Sequence, residues 1–126
     1  MREINALVER YQAHARFAFV YILEAHAVDE WPVRCTNADL PQHKCLADRA
    51  TAADRLRRDY PLHPQLHLLL DNEHDDFQHT YPSWPFRYWV LHHPAAGPTV
   101  ALKMAPDADL ASLEPLQDWC ARHLPN

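Results

Sequence analysis

The sequence predicts a single α/β domain spanning residues 1–126. Three observations carry that expectation. Residues 17–23 form an unbroken apolar run, Phe-Ala-Phe-Val-Tyr-Ile-Leu, short and rich in aromatic and β-branched side chains, which reads as a strand buried on both faces. Stretches with helical apolar stripes precede and follow it. Two further strand-like runs meet at the turn Pro94-Ala-Ala-Gly97-Pro98, the pattern of a hairpin.

Ile4, Leu7, Val8, Tyr11 and Ala15 fall on one stripe of a helix over residues 2–15, with Arg2, Glu3, Glu9 and Arg10 off it. The strand at 17–23 follows, then a loop over 24–40 in which Trp31 is kept extended by Pro32. Asp39 is placed to cap the next helix, with Pro41 in its first turn. Leu46, Ala50, Ala53 and Leu56 supply that helix's stripe to about Arg58, and Pro61 stops it. Residues 65–71 read as a buried strand, 72–85 as a polar loop, and 86–92 and 99–104 as paired strands. A last helix follows residues 107–112, with Leu113, Leu116, Trp119, Cys120 and Leu124 inward and Pro115 tolerated only near its start. The predicted order is α, β, α, β, β, α.

Composition bounds the function. Hydrophobic residues make up 48% and charged residues 23%, as in a soluble globular protein large enough for one core. A net charge of −5 argues against nucleic acid as a partner. No apolar run of membrane-spanning length occurs, and the N-terminus opens an amphipathic pattern rather than a signal-peptide core, so the compartment stays open. A single glycine speaks against a phosphate-cradling loop and hence nucleotide binding, and no cofactor is implied. Cys35, Cys45 and Cys120 make an odd count without a Cys-x-x-Cys pair. They read as free thiols, with a Cys35–Cys45 disulfide left open.

Two long motifs carry a resemblance. Tyr21-Ile-Leu-Glu24-Ala-His26-Ala-Val-Asp29-Glu-Trp31 resembles the YIxEAHAxDxW segment of the iodothyronine deiodinases, thioredoxin-fold selenoenzymes that remove iodine reductively from thyroid hormones. The stretch from Leu40 through His43, Asp48 and Arg49 to Leu56 is similar to the same family's IxxHxxLxDRxxAAxxL. Shorter pieces agree: Leu68-Leu-Leu-Asp71 resembles its VVVD strand, and Tyr81-Pro-Ser-Trp-Pro85-Phe-Arg87 its YxxxPxR.

The resemblance implies a thioredoxin-like fold of three helices on a mixed sheet, entered after the family's first strand and nucleophile loop. It also implies a cis bond at Pro85. Departures bear on activity. No residue stands at the position of the family's selenocysteine or cysteine. Glu73 and Asp75 replace a methionine and an asparagine, and Lys103-Met-Ala-Pro106 replaces a glycine-rich loop.

By the same resemblance Glu24, His26 and His43 form the shell around the reacting atom and are expected to cluster. An imidazole there stabilises a thiolate or selenolate, or delivers a proton. The bland reading is that the histidines merely hydrogen-bond within a retained loop. Cys35, following the motif loop, is the alternative nucleophile. Cys45 would lie on another helix face from His43. Trp31, Pro85 and Arg87 are the expected binding residues.

No metal site is expected. His74 and His79 share their loop with Glu73, Asp75 and Asp76, but solvated loop residues explain them better.

The expected function is a deiodinase-like, non-catalytic structural or binding subunit. The alternative is a thiol- or selenol-type oxidoreductase or reductive dehalogenase, using a recruited cysteine or a partner chain. A central first strand would lie between the strands at 17–23 and 86–92. A protein partner or a second copy is therefore expected to complete the sheet.

Overall fold

The computed structural model describes residues 1–33, 39–104 and 112–125. The chain is a mixed α/β arrangement of the thioredoxin-like kind. Its elements run α1 (Arg2–Tyr11), β1 (Phe17–Tyr21), α2 (Leu46–Asp59), β2 (Leu66–Leu70), α3 (Asp76–Thr80), β3 (Tyr88–His92), β4 (Thr99–Met104) and α4 (Glu114–His123).

The apolar stripe of α1 buries Leu7, Val8 and Tyr11. Leu7 and Tyr11 pack with Cys120 of α4, and Phe17, Leu116, Trp119 and Leu124 close around them. Each large apolar side chain buried this way contributes about 1.5–3 kcal/mol. The helix stops at Tyr11 rather than at 15, because the amides of both His14 and Ala15 turn back to the Tyr11 carbonyl and aim the chain into β1.

β1 pairs in parallel with β2, Phe17 opposite Leu66 and Tyr21 opposite Leu70, and the Asp71 amide extends the ladder to the Tyr21 carbonyl. Parallel strands need a crossover, which α2 supplies. β3 and β4 pair antiparallel, with an irregularity between Val90 and Leu91. Their turn holds Gly97 at φ +115°, a conformation open to glycine, with its amide donating to Pro94. Among the described residues the strands form these two two-stranded ladders, where the sequence suggested one mixed sheet.

Two helices depart from expectation. α2 begins at Leu46, not near 40, and its N-cap is Cys45. Asp39 does not cap it, since its carboxylate pairs with Arg55 at 2.9 Å. Instead the Lys44 amide donates to Asp48 Oδ2 at 3.0 Å, a carboxylate inside the first turn reaching back over the helix start. Leu46 is exposed, and the buried face of α2 is Arg49, Ala52 and Ala53.

A fourth helix, α3, stands within the stretch expected to be a polar loop. The buried Asp71 carboxylate at the end of β2 accepts the amides of Phe77 at 2.8 Å and Gln78 at 2.9 Å, satisfying two of the helix's opening donors. No helix among the described residues is long and apolar enough to cross a membrane.

Candidate functional site

The carboxyl end of β1 delivers Tyr21, and the chain leaves the strand into Glu24. Facing it is the extended segment that precedes α2, carrying Gln42 and His43. The Tyr21 hydroxyl donates to Glu24 Oε1, and the same oxygen stands 3.8 Å from His43 Nε2. The Tyr21 and His43 rings lie against each other with centroids 5.6 Å apart. Burial, then the bond to Glu24, hold the Tyr21 phenol well above its usual range, so it stays a donor at neutral pH.

His43 is the buried centre of this group. Its side chain is 3% exposed, yet neither ring nitrogen has a hydrogen-bond partner among the described residues. Buried polar groups are nearly always partnered, so the imidazole is free to bond a group outside the described residues. Burial pushes its pKa below the ordinary histidine value, while the Glu24 carboxylate opposes that shift. The resting ring is therefore neutral, with a carboxylate ready to favour its protonated form. His43 also contributes to the wall of a cleft of about 280 Å³ between the 40–44 segment and Asp48, Thr51 and Ala52 of α2.

Glu24 and His43 thus meet, across the loop and the start of α2. His26 meets Trp31: its Nδ1 lies 3.3 Å from the Trp31 carbonyl, and its ring meets the Trp31 indole edge-on at 5.2 Å. Trp31 itself is 62% exposed. The Trp84–Pro85 bond is cis, as the motif implied. Arg87 follows it and donates to the Phe86 carbonyl at 2.7 Å. Cys35 lies outside the described residues. Cys45, on the N-cap of α2, is exposed, and its thiol with the Lys44 amide holds the Asp48 carboxylate below its usual range. Cys120 sits in the α1–α4 core, where burial pushes its thiol up.

Three residues that the sequence did not single out for the site hold its frame. Gln42 bonds both Glu24 and the loop beyond it. Arg49, almost wholly buried, donates to the carbonyls of Asp71 at 2.8 Å and Asn72 at 2.6 Å and pairs with Asp75 at 2.8 Å. It thereby locks α2 to the loop after β2, where Asp75 adopts φ 54°. Ser83 accepts from the Trp89 indole at 3.0 Å and donates to the Tyr81 carbonyl at 2.6 Å, bracing the segment before cis-Pro85. All three lie inside quoted motifs, which is a signal of a kind, but the partners of Gln42 and Arg49 are distant in the chain and no local pattern announces them. Among the described residues no three His, Cys, Asp or Glu side chains converge as metal ligands would.

A family model described as iodothyronine deiodinase matches residues 1–96. The chain is 36% identical over 89 residues to a type I iodothyronine deiodinase of Xenopus laevis, covering 71% of this chain and 34% of that protein. It is 32% identical over 91 residues to a thyroxine 5-deiodinase of Sus scrofa, covering 72% of this chain and 29% of that one. A type II iodothyronine deiodinase of Aquarana catesbeiana matches at 36% over 68 residues, 53% of this chain and 26% of the relative. The chain spans about a third of the length of the curated relatives it matches.

Proposed function

The chain belongs to the iodothyronine deiodinase family, and we propose that residues 1–126 supply the acid–base shell of a deiodinase-like site without a nucleophile of their own. In this reading the chain acts as a structural or binding subunit. The observation that supports it most is His43: a buried, neutral imidazole beside a carboxylate, with both ring nitrogens unpartnered. Such a ring is built to meet an atom from outside the described residues. A thiolate or selenolate, or the leaving carbon of an iodinated aromatic ring, is the chemistry it suits.

Glu24 and His43 carry the proton chemistry of this proposal. Tyr21 keeps the Glu24 carboxylate in place. His26 belongs to the same shell and is held against Trp31, and Trp31, Pro85 and Arg87 form the binding surface for an iodothyronine-like ligand. The two described thiols are poor candidates for the reacting atom. Cys120 is packed between helices, and Cys45 directs its thiol to the Asp48 carboxylate.

Completion of the sheet belongs to the same proposal. β1 and β3 each carry one ladder among the described residues, and Leu69, Leu91 and Val100 are 45–50% exposed on their sheets. A strand from a partner chain or from a second copy would pair such an edge and cover apolar surface. Sedimentation of the chain alone and with candidate partners reads this directly. A strictly monomeric chain that unfolds in one sharp transition would contradict it.

A second reading, a thiol-dependent reductive dehalogenase, rests on Cys35. Iodide release from an iodothyronine under excess dithiol separates the two. The proposal expects the 126-residue chain to release iodide no faster than the dithiol blank. Release above the blank that disappears in Cys35→Ser would establish the second reading. Release that persists when Cys35, Cys45 and Cys120 are all changed to serine would refute the reasoning about the nucleophile altogether.

A further inference from the structure

One side-chain amide touches both halves of the proposed site. Gln42 Oε1 accepts the backbone amides of Glu24 at 3.1 Å and His43 at 3.2 Å. Gln42 Nε2 donates to the Glu24 carbonyl at 3.0 Å and to Glu30 Oε2 at 3.0 Å. The full capacity of a primary amide, two acceptances and two donations, is used. The direction of the amide is fixed by chemistry, because only N–H groups face one end and only acceptors face the other. The Gln42 backbone adds a fifth contact, its N–H donating to Asp29 Oδ1 at 2.7 Å.

The consequence concerns geometry. The His43 ring has no hydrogen bond among the described residues to orient it, so its direction follows from packing against Tyr21 and from its own backbone. The Glu24 carboxylate is held by the Tyr21 hydroxyl, and its backbone is set by where the chain leaves β1. Gln42 holds the N–H and C=O of Glu24 and the N–H of His43 at once, across 18 residues of chain. We propose that Gln42 is the positioning residue that keeps the Glu24 carboxylate and the His43 imidazole within reach of each other, and that it acts through them rather than on a ligand. This rests on the reading of Glu24 and His43 as an acid–base pair.

Loss of the amide need not unfold the loop, since the Val28 amide still donates to the Leu40 carbonyl at 2.9 Å between the same two segments. The test is a double-mutant cycle on the 126-residue chain, read by the His43 imidazole titration in ¹⁵N–¹H NMR. In the native chain Glu24→Gln lowers the His43 midpoint, because a carboxylate that favoured the charged ring is gone. In Gln42→Met, similar in length but without polar atoms, the same Glu24 change has a smaller effect on the midpoint, because the two backbones are no longer tied together and only the Tyr21 hydroxyl still holds the carboxylate. Should Gln42→Met fail to fold, Gln42→Asn keeps the uncharged amide but is one methylene too short to reach both segments, and it too gives a smaller Glu24 effect.

A native-sized Glu24 effect in either folded variant would show Gln42 to be a structural residue only and overturn the proposal. No Glu24 effect in the native chain would overturn the pair itself. The readout needs no turnover, so the role of Gln42 and the deiodinase-like reading fail separately.

Discussion

Arg49→Met should weaken the domain by about 3 kcal/mol. The guanidinium is 5% exposed and donates to two backbone carbonyls, Asp71 at 2.8 Å and Asn72 at 2.6 Å, besides its pair with Asp75. Hydrogen bonds from a charged donor contribute about 1.5–3 kcal/mol each, so the two carbonyl bonds alone are worth about 3–6 kcal/mol. Methionine fills much of the volume and relieves the burial of a charge, which offsets part of that loss. Asp75 is 24% exposed and regains water, so its release adds little. Against a typical stability of about 5–15 kcal/mol, a net loss near 3 is large. Urea unfolding followed by circular dichroism measures it. With a slope of about 1–3 kcal/mol per molar the midpoint falls by about 1–3 M, slope unchanged. Native-like stability in Arg49→Met would refute the claim that this arginine locks α2 to the loop after β2.

Asp71→Asn should cost about 1–2 kcal/mol and selectively raise amide exchange in α3, since the carboxylate accepts from Phe77 and Gln78 at the start of that helix. Stability should also fall with acid because of His43. Burial sets its folded pKa below that of the unfolded chain, so as pH drops through about 6.5 the unfolded state takes the proton first. The loss levels off once the folded ring also protonates, and His43→Gln should flatten this part of the profile; an identical profile in that variant contradicts the assignment. Cys45 should react with iodoacetamide in the folded chain, whereas Cys120 should react only after unfolding; equal rates would contradict its burial.

The strands were legible because their signals are local. The apolar run gave β1 at Phe17, β4 matched Thr99–Met104 residue for residue, and the turn at Gly97 fell where the proline–glycine cluster put it. The partnership of Glu24 and His43 was legible only through the two motifs, since nothing in the spacing of residues 24 and 43 requires contact. What escaped was set by distant partners. The start of α2 looked like Asp39 because aspartate before proline is a good cap, but Arg55 claimed that carboxylate and Asp48 took over from inside the helix. α3 is five residues long, too short for a periodic stripe, and its opening is held by a carboxylate on the preceding strand. The contact of His26 with Trp31, five residues on, was likewise not announced by the spacing.

In the proposed site the His43 imidazole, without a hydrogen bond among the described residues, receives an atom from outside them. The most direct measurement of this is a ¹⁵N–¹H NMR titration of the 126-residue chain with an iodothyronine, following the His43 ring nitrogens. A saturable shift of those resonances is expected, weakened in Glu24→Gln, with the ring of His63, which pairs with Glu9 at 2.6 Å, unmoved. Binding that leaves the His43 nitrogens unchanged, or no binding with the ring still open in the spectrum, would contradict it.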